Sequence, residues 1–502
     1  MEKIKSNKRE TVLIFLILLI VTNTIFIPFL SGHMSTDSYN IFNKGYEEYA
    51  IGNFFLDGRV FSGIFVEIIA YFDIPIVISS IISSEIAIIL SCIAIMVLAN
   101  TFQNFKKVEK LSSKIILYVA SYYAIFNLLY IENLYYIEAL VMALSILLYI
   151  LSARILVKKT KMYLLKSFIL VTLGIMSYQG TISLFFLAVL VFSMCEENTL
   201  KGIIITMIKA VIITLLGILI NNLQIMFIEN TYNIKQDRGI TSYIIIYFNI
   251  RIILDNILNI IRYTGGYFPN WSYAIIVVII ELLIFIKLLK QNQKNPDKSN
   301  QKIMIEQIFI VICGILFSCM VSVISTSGLL SGRIRFAMGA IVGFIFLHLW
   351  AKTDFVENKK DIFNTILICI LILYGIVNSV NYVCIMRESK QVEENDKQEV
   401  YKIQEEVKKY EEENNTEITK IAVVVEKGHT SKAFYPETYH RVFVTHSAIK
   451  TEWSIVGCYN YYTGENLEKY EPTEAEKNIY LEQEKDGYLC IDDVLYITAY
   501  MY

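Results

Sequence analysis

The sequence predicts a multi-spanning α-helical membrane protein, with about eleven transmembrane helices and a small α/β domain at its C-terminal end. Three observations predict it. Of 502 residues, 55% are hydrophobic and only 18% are charged, where soluble domains carry roughly a quarter. The apolar residues come in blocks long enough to cross a hydrocarbon core of ~30 Å. Lys and Arg bunch in alternate loops, and the composition turns abruptly charged after residue 386. The net charge of −2 argues against nucleic acid as a partner.

The basic N-terminus "MEKIKSNKRE" precedes an apolar run of about 20 residues. That run is too long for the core of a signal peptide, and no small-x-small site follows it, so it reads as a retained signal anchor. Spans fall at 11–30, 76–99, 115–130, 134–153, 163–178, 181–195, 203–228, 271–290, 303–326, 333–351 and 362–386. Loop charges give the orientation. Lys3, Lys5, Lys8 and Arg9 precede the first span, and Lys106, Lys107, Lys110 and Lys114 follow the second. Arg154, Lys158, Lys159 and Lys161 follow the fourth, Lys290, Lys294, Lys298 and Lys302 the eighth, and Lys352, Lys359 and Lys360 the tenth. All lie on one side, which the positive-inside rule makes the cytoplasm.

The opposite side receives 31–75, turns at 131–133 and 177–180, the long segment 229–270, residues 325–332, and everything after 386. One helix over 163–195 would run about 50 Å, so a hairpin turning at "SYQG" is expected. Segment 241–263 is apolar but carries Arg251, Asp255 and Arg262, which suits an amphipathic or re-entrant interfacial helix. Gly265, Gly266 and Pro269 then break it. The span cores are almost free of ionisable residues.

Residues 1–386 thus form the membrane domain and 387–502 an extracytoplasmic α/β domain. In the latter a charged helical run follows 386, and "ITKIAVVVEKG", "HRVFVTH" and "GYLCIDDVLYITAY" read as strands. Six of the eight cysteines (Cys92, Cys195, Cys313, Cys319, Cys369 and Cys384) lie in apolar stretches as small hydrophobes. Cys458 and Cys490 can form a disulfide outside the cytoplasm. The histidines show no metal-ligand spacing, and no Gly-rich phosphate loop faces the cytoplasm. No metal, nucleotide or other cofactor is therefore expected.

Four short motifs can carry chemistry. "STDSYN" places Asp37 just after the first span, where a carboxylate can take a proton from an attacking hydroxyl. The same Asp also suits a helix cap. "DGR" at 57–59 offers a tight turn at Gly58 and a phosphate-binding Arg59, or else a plain Asp57–Arg59 surface pair. "SYQG" sets Tyr178 and Gln179 at a span end, where they can meet a sugar or another helix. "SGRIRF" puts Arg333 and Arg335 on the outer side, as are Arg238 and Arg262. Cations there ask for an anionic partner, a phosphate ligand or lipid head groups.

Together these motifs resemble those of the bacterial GtrII-type glucosyltransferases, membrane enzymes of the GT-C architecture. The likeness covers nearly the whole chain through short motifs. The family's first loop usually has two adjacent acidic residues, whereas here Asp37 stands alone between Thr36 and Ser38. The resemblance implies an inverting transfer of glucose from undecaprenyl phosphate to a surface polysaccharide such as O-antigen, on the outer face of the bacterial plasma membrane. It makes Asp37 the general base and Arg59, Arg262, Arg333 and Arg335 the holders of the donor phosphate. Asp57, Tyr178 and Gln179 would then face a sugar. A small flippase and a lipid-phosphate glycosyltransferase are the implied partners. A glycan polymerase, ligase or flippase of polysaccharide assembly is the competing expectation.

Overall fold

The computed structural model describes residues 2–106, 110–197, 199–235, 243–262, 264, 266–294, 298–324, 331–353, 362–426, 429–483 and 487–500. Lys107, Arg238, Gly265, Lys359, Lys360 and residues 325–330 lie outside them. The helices are α1 (Glu2–Leu30), α2 (Thr36–Lys44), α3 (Tyr46–Tyr49), α4 (Val60–Tyr71), α5 (Ile76–Phe105), α6 (Leu111–Ile125) and α7 (Ile131–Tyr135). Then follow α8 (Ala139–Lys158), α9 (Tyr163–Ser177), α10 (Ile182–Glu196), α11 (Leu200–Tyr232), α12 (Tyr243–Asp255), α13 (Ile257–Arg262) and α14 (Ser272–Lys294). The rest are α15 (Lys298–Ser318), α16 (Met320–Ile324), α17 (Phe336–Lys352) and α18 (Ile362–Asn414). The C-terminal part adds β1 (Lys420–Glu426), α19 (Ile455–Thr463), β2 (Glu468–Tyr470), α20 (Glu474–Gln483), β3 (Tyr488–Ile491) and β4 (Val494–Tyr500).

Among the described residues, eight helices are long and apolar enough to cross a membrane. The chain is thus a multi-span helical membrane protein with a small C-terminal sheet. Each of the eleven expected spans coincides with a helix, but α6, α9 and α17 have only 15, 15 and 17 residues. These three fall short of the length of the other eight. Every residue of α17 from Phe336 to Trp350 is buried. Gly339 and Gly343 let it press on the segment holding α6: a Cβ at Gly343 would stand 2.3 Å from the Ala124 backbone nitrogen. Such small-residue spacing lets helix backbones meet inside a bilayer. At the rim, α11 leaves Leu215, Leu219, Leu223 and Phe227 exposed, an apolar stripe suited to lipid. The chain does turn at "SYQG", where the extended backbone of Tyr178 separates α9 from α10.

Several expectations change. Of the ionisable groups in these helices, Glu281 lies mid-span in α14, while Lys287, Glu306 and His348 lie near the ends of the expected spans. The break after 386 is no break in the backbone, because α18 runs unbroken for 53 residues. Its apolar first half gives way to a charged second half, a change of solvent rather than of structure. "HRVFVTH" is no strand but a 3₁₀ turn at Phe443–Thr445. Its alternation is real: Val442 and Val444 are buried in the core of the helical bundle. They pack on helices, so no ladder forms. Cys458 lies buried in α19 and Cys490 in β3, and both are free thiols.

The four-stranded sheet has the order β2-β1-β4-β3. β1 runs parallel to β2 and β4, and β3 pairs antiparallel with β4. Its apolar face shares one core with the first loop: Met34, Tyr39, Ile41 and Phe54 pack with Val400, Ile403, Ile421, Val456 and Leu495. Gly457 allows this contact, since a Cβ there would fall 1.9 Å from the Tyr39 carbonyl oxygen. The region after 386 is therefore clamped onto residues 31–75.

Candidate functional site

The clamp brings the first-loop motifs together. Ser35 caps α2 through its side chain, in a reciprocal box with Ser38. The cap role thus falls to Ser35, and the Asp37 carboxylate is released from it. Asp37 sits half-buried in the first turn of α2, where the helix dipole favours a negative charge. Its Oδ1 accepts from the indole N–H of Trp453 at 3.1 Å. The Tyr49 hydroxyl is within hydrogen-bond reach on the other side.

Gly58 turns with φ +72°, the left-handed conformation that glycine adopts at little cost. That turn aims Arg59 inward. Its guanidinium lies 3.4 Å from Asp57, 3.7 Å from Glu138 and 5.5 Å from the centre of the Tyr178 ring. Gln179 donates to the Asp57 carbonyl at 2.9 Å. The "SYQG" turn therefore braces the "DGR" turn through its amide, while Tyr178 supplies the aromatic face.

Arg333 closes the site from the other side. Glu132 holds its loop, accepting from the Tyr267 hydroxyl at 2.5 Å, the Gly332 N–H at 3.1 Å and the Arg333 N–H at 2.8 Å. The Arg333 guanidinium lies 4.1 Å from the Tyr136 ring and 5.9 Å from Phe443 of the 3₁₀ turn. Its Nη1 is buried without a hydrogen bond. Among the described residues no carboxylate forms an ion pair with this guanidinium. Glu132 and Glu138 act on it only at longer range. A buried donor without a partner is costly, and an anionic ligand would offset that cost.

Glu132 and Glu138 escape the sequence reading, because Glu132 falls in the short turn at 131–133 and Glu138 stands among apolar residues. An acid at the mouth of a span was the available signal. Glu138 is buried to 1% exposure, and neither of its oxygens accepts a hydrogen bond. It is ready to accept a hydroxyl proton donor. Trp453 and Phe443 were likewise missed, since nothing local ties the C-terminal region to the first loop.

Two expected arginines stand apart. Arg335 is buried beside the Cys319 thiol. Arg262 is exposed at the end of α13 and makes no ion pair among the described residues. The site thus unites Asp37, Asp57, Arg59, Glu138, Tyr178 and Arg333, with Gln179 as a brace. No protein-family model matches the chain, and no curated protein or solved structure matches it.

Proposed function

We propose that the protein is an inverting membrane hexosyltransferase of GtrII type and GT-C architecture, with glucose as the hexose the resemblance favours. Its donor is a polyprenyl-phosphate sugar and its acceptor a surface glycan. The observation that carries the reading is Arg333: a half-buried arginine on an aromatic shelf, its Nη1 buried without a hydrogen bond and, among the described residues, without an ion pair to a carboxylate, in one cluster with Asp37 and Arg59.

In this reading Asp37 takes the proton of the acceptor hydroxyl as its oxygen attacks C1 of the sugar. The C1–O bond to phosphate breaks, and the electron pair leaves with the polyprenyl phosphate. Arg333 and Arg59 stabilise the charge that gathers on that phosphate. The unpartnered oxygens of Glu138 accept hydroxyls of the donor hexose, and the Tyr178 ring packs against it. An eleven-helix topology with the C-terminal region outside, as the loop charges favour, would put this cluster at the outer face of a bacterial plasma membrane. A flippase and a lipid-phosphate glycosyltransferase would supply the donor.

The test is direct. Protein in nanodiscs is given polyprenyl-phosphate hexose, and release of polyprenyl phosphate is followed. Turnover by the wild type and its loss in Asp37→Asn are expected. No consumption of any lipid-linked hexose would remove the transferase reading. A flippase is the second reading, favoured by the chain of Lys302, Glu306, His348 and Gln307 between α15 and α17. Transfer of labelled lipid across proteoliposomes, abolished by Glu306→Leu, would support it instead.

A further inference from the structure

The first loop does not hold Asp37 alone. Trp453 reaches it from a part of the chain 416 residues away. The loop that carries Trp453 is itself fixed by a buried anchor on α18. Asp396 accepts from the Ser447 hydroxyl at 2.5 Å, the Ala448 N–H at 2.7 Å and the Tyr435 hydroxyl at 2.8 Å. The Ser454 hydroxyl then donates to the Ala448 carbonyl at 2.7 Å, and Thr451 Oγ1 to Ser447 at 2.7 Å. This tight turn leaves the Trp453 indole 39% exposed, with its N–H on Oδ1 of Asp37.

An exposed Trp in a rigid loop has no packing reason to point at a carboxylate. The bond fixes one oxygen of Asp37, and the Tyr49 hydroxyl is the carboxylate's other hydrogen-bonding neighbour. The groups facing Asp37 from the neighbouring elements are Tyr49, Tyr135, Tyr136 and Glu138. Among these the hydroxyls of Tyr135 and Tyr136 do other work or none: Tyr135 accepts from the Thr36 N–H, and Tyr136 underlies Arg333.

We propose that Trp453 is a positioning residue for the Asp37 carboxylate, through which the C-terminal region completes the site. This rests on Asp37 being the base. In the polyprenyl-phosphate assay Trp453→Phe, which keeps a ring but loses the N–H, should lower kcat about 10–100-fold, the usual effect of removing the partner that orients a reacting group. KM for the lipid donor should stay put. Trp453→His, which restores an N–H, should regain part of kcat. Loss through folding alone would not be rescued in this way.

A second measurement needs no turnover. The tryptophan emission of wild type minus Trp453→Phe should shift when Asp37 is replaced by Ala, because the indole loses its acceptor. An unchanged difference spectrum overturns the proposal. So does wild-type kcat in Trp453→Phe. Full turnover in Asp37→Asn would instead sink the base assignment, which the emission result leaves separate.

Discussion

Two clusters of charge lie within this helical bundle, and they are built on opposite terms. In the cluster of α15 and α17 each ionisable group has a counterpart, unlike the lone buried Glu281 of α14. The His348 Nε2–H donates to Glu306 at 2.9 Å, its Nδ1 accepts from Gln307 at 3.1 Å, and Lys302 lies 3.7 Å from Glu306. In the cluster around Asp37, groups are left open. Arg333 has no carboxylate, and Glu138 accepts no hydrogen bond. A closed cluster holds helices together, whereas an open one stores capacity for something absent. Burial of charge alone therefore does not mark a site; the missing partner does.

The contrast can be broken in order of expected effect. Asp37→Asn should cut turnover by about 10²–10⁴-fold, the usual worth of a positioned base, with the melting temperature unchanged. Arg333→Gln should cost about 10²-fold in turnover by removing stabilisation of the leaving phosphate. Glu306→Leu should do the reverse. It strands the buried His348 and should destabilise the fold by about 3 kcal/mol, seen as a lowered thermal midpoint in detergent, while turnover per folded molecule holds. Equal loss of turnover in Glu306→Leu and Arg333→Gln would erase the distinction between the clusters.

A smaller effect concerns pH. Burial holds the His446 imidazole down at about 3, where an unfolded chain has ~6.5. Both states are neutral at pH 7. As pH falls below 6.5 only the unfolded chain takes the proton, so stability present above 6.5 is lost progressively down to pH 3. At pH 5 the loss is about 2 kcal/mol, and His446→Leu should remove that part of the acid sensitivity. Smallest of all is Arg262→Ala. An exposed side chain changes free energies by about 0.5 kcal/mol or less, so turnover should stay within about twofold.

Much of this was legible in the sequence. Apolar block length gave the helices, because a bilayer imposes one length on all of them. "STDSYN", "DGR" and "SGRIRF" each supplied a residue to the cluster, since polar groups at span ends have few other places to go. The rest depends on contacts distant in sequence. Glu138 reads as an accident in an apolar run until Arg59 stands beside it. Arg333 and Arg335 are two residues apart and look equivalent, yet the loop held by Glu132 turns Arg333 to the cluster while Arg335 is buried beside Cys319. "HRVFVTH" alternates like a strand, because burial against helices on one side yields the same pattern as burial in a sheet. Trp453 gave no signal at all, as its partner lies at the other end of the chain.

The unbroken α18 has a geometric consequence. At 53 residues it is about 80 Å long, well beyond the thickness of a bilayer. Helix and C-terminal region therefore form a mast with its fitting, not a weight on a string. Its residue count is a ruler that sets both the height and the compass bearing of Trp453. One residue added after Met386 would lift the fitting by about 1.5 Å and swing it by about 100°. Every group of the site would survive such an insertion, and the site would not.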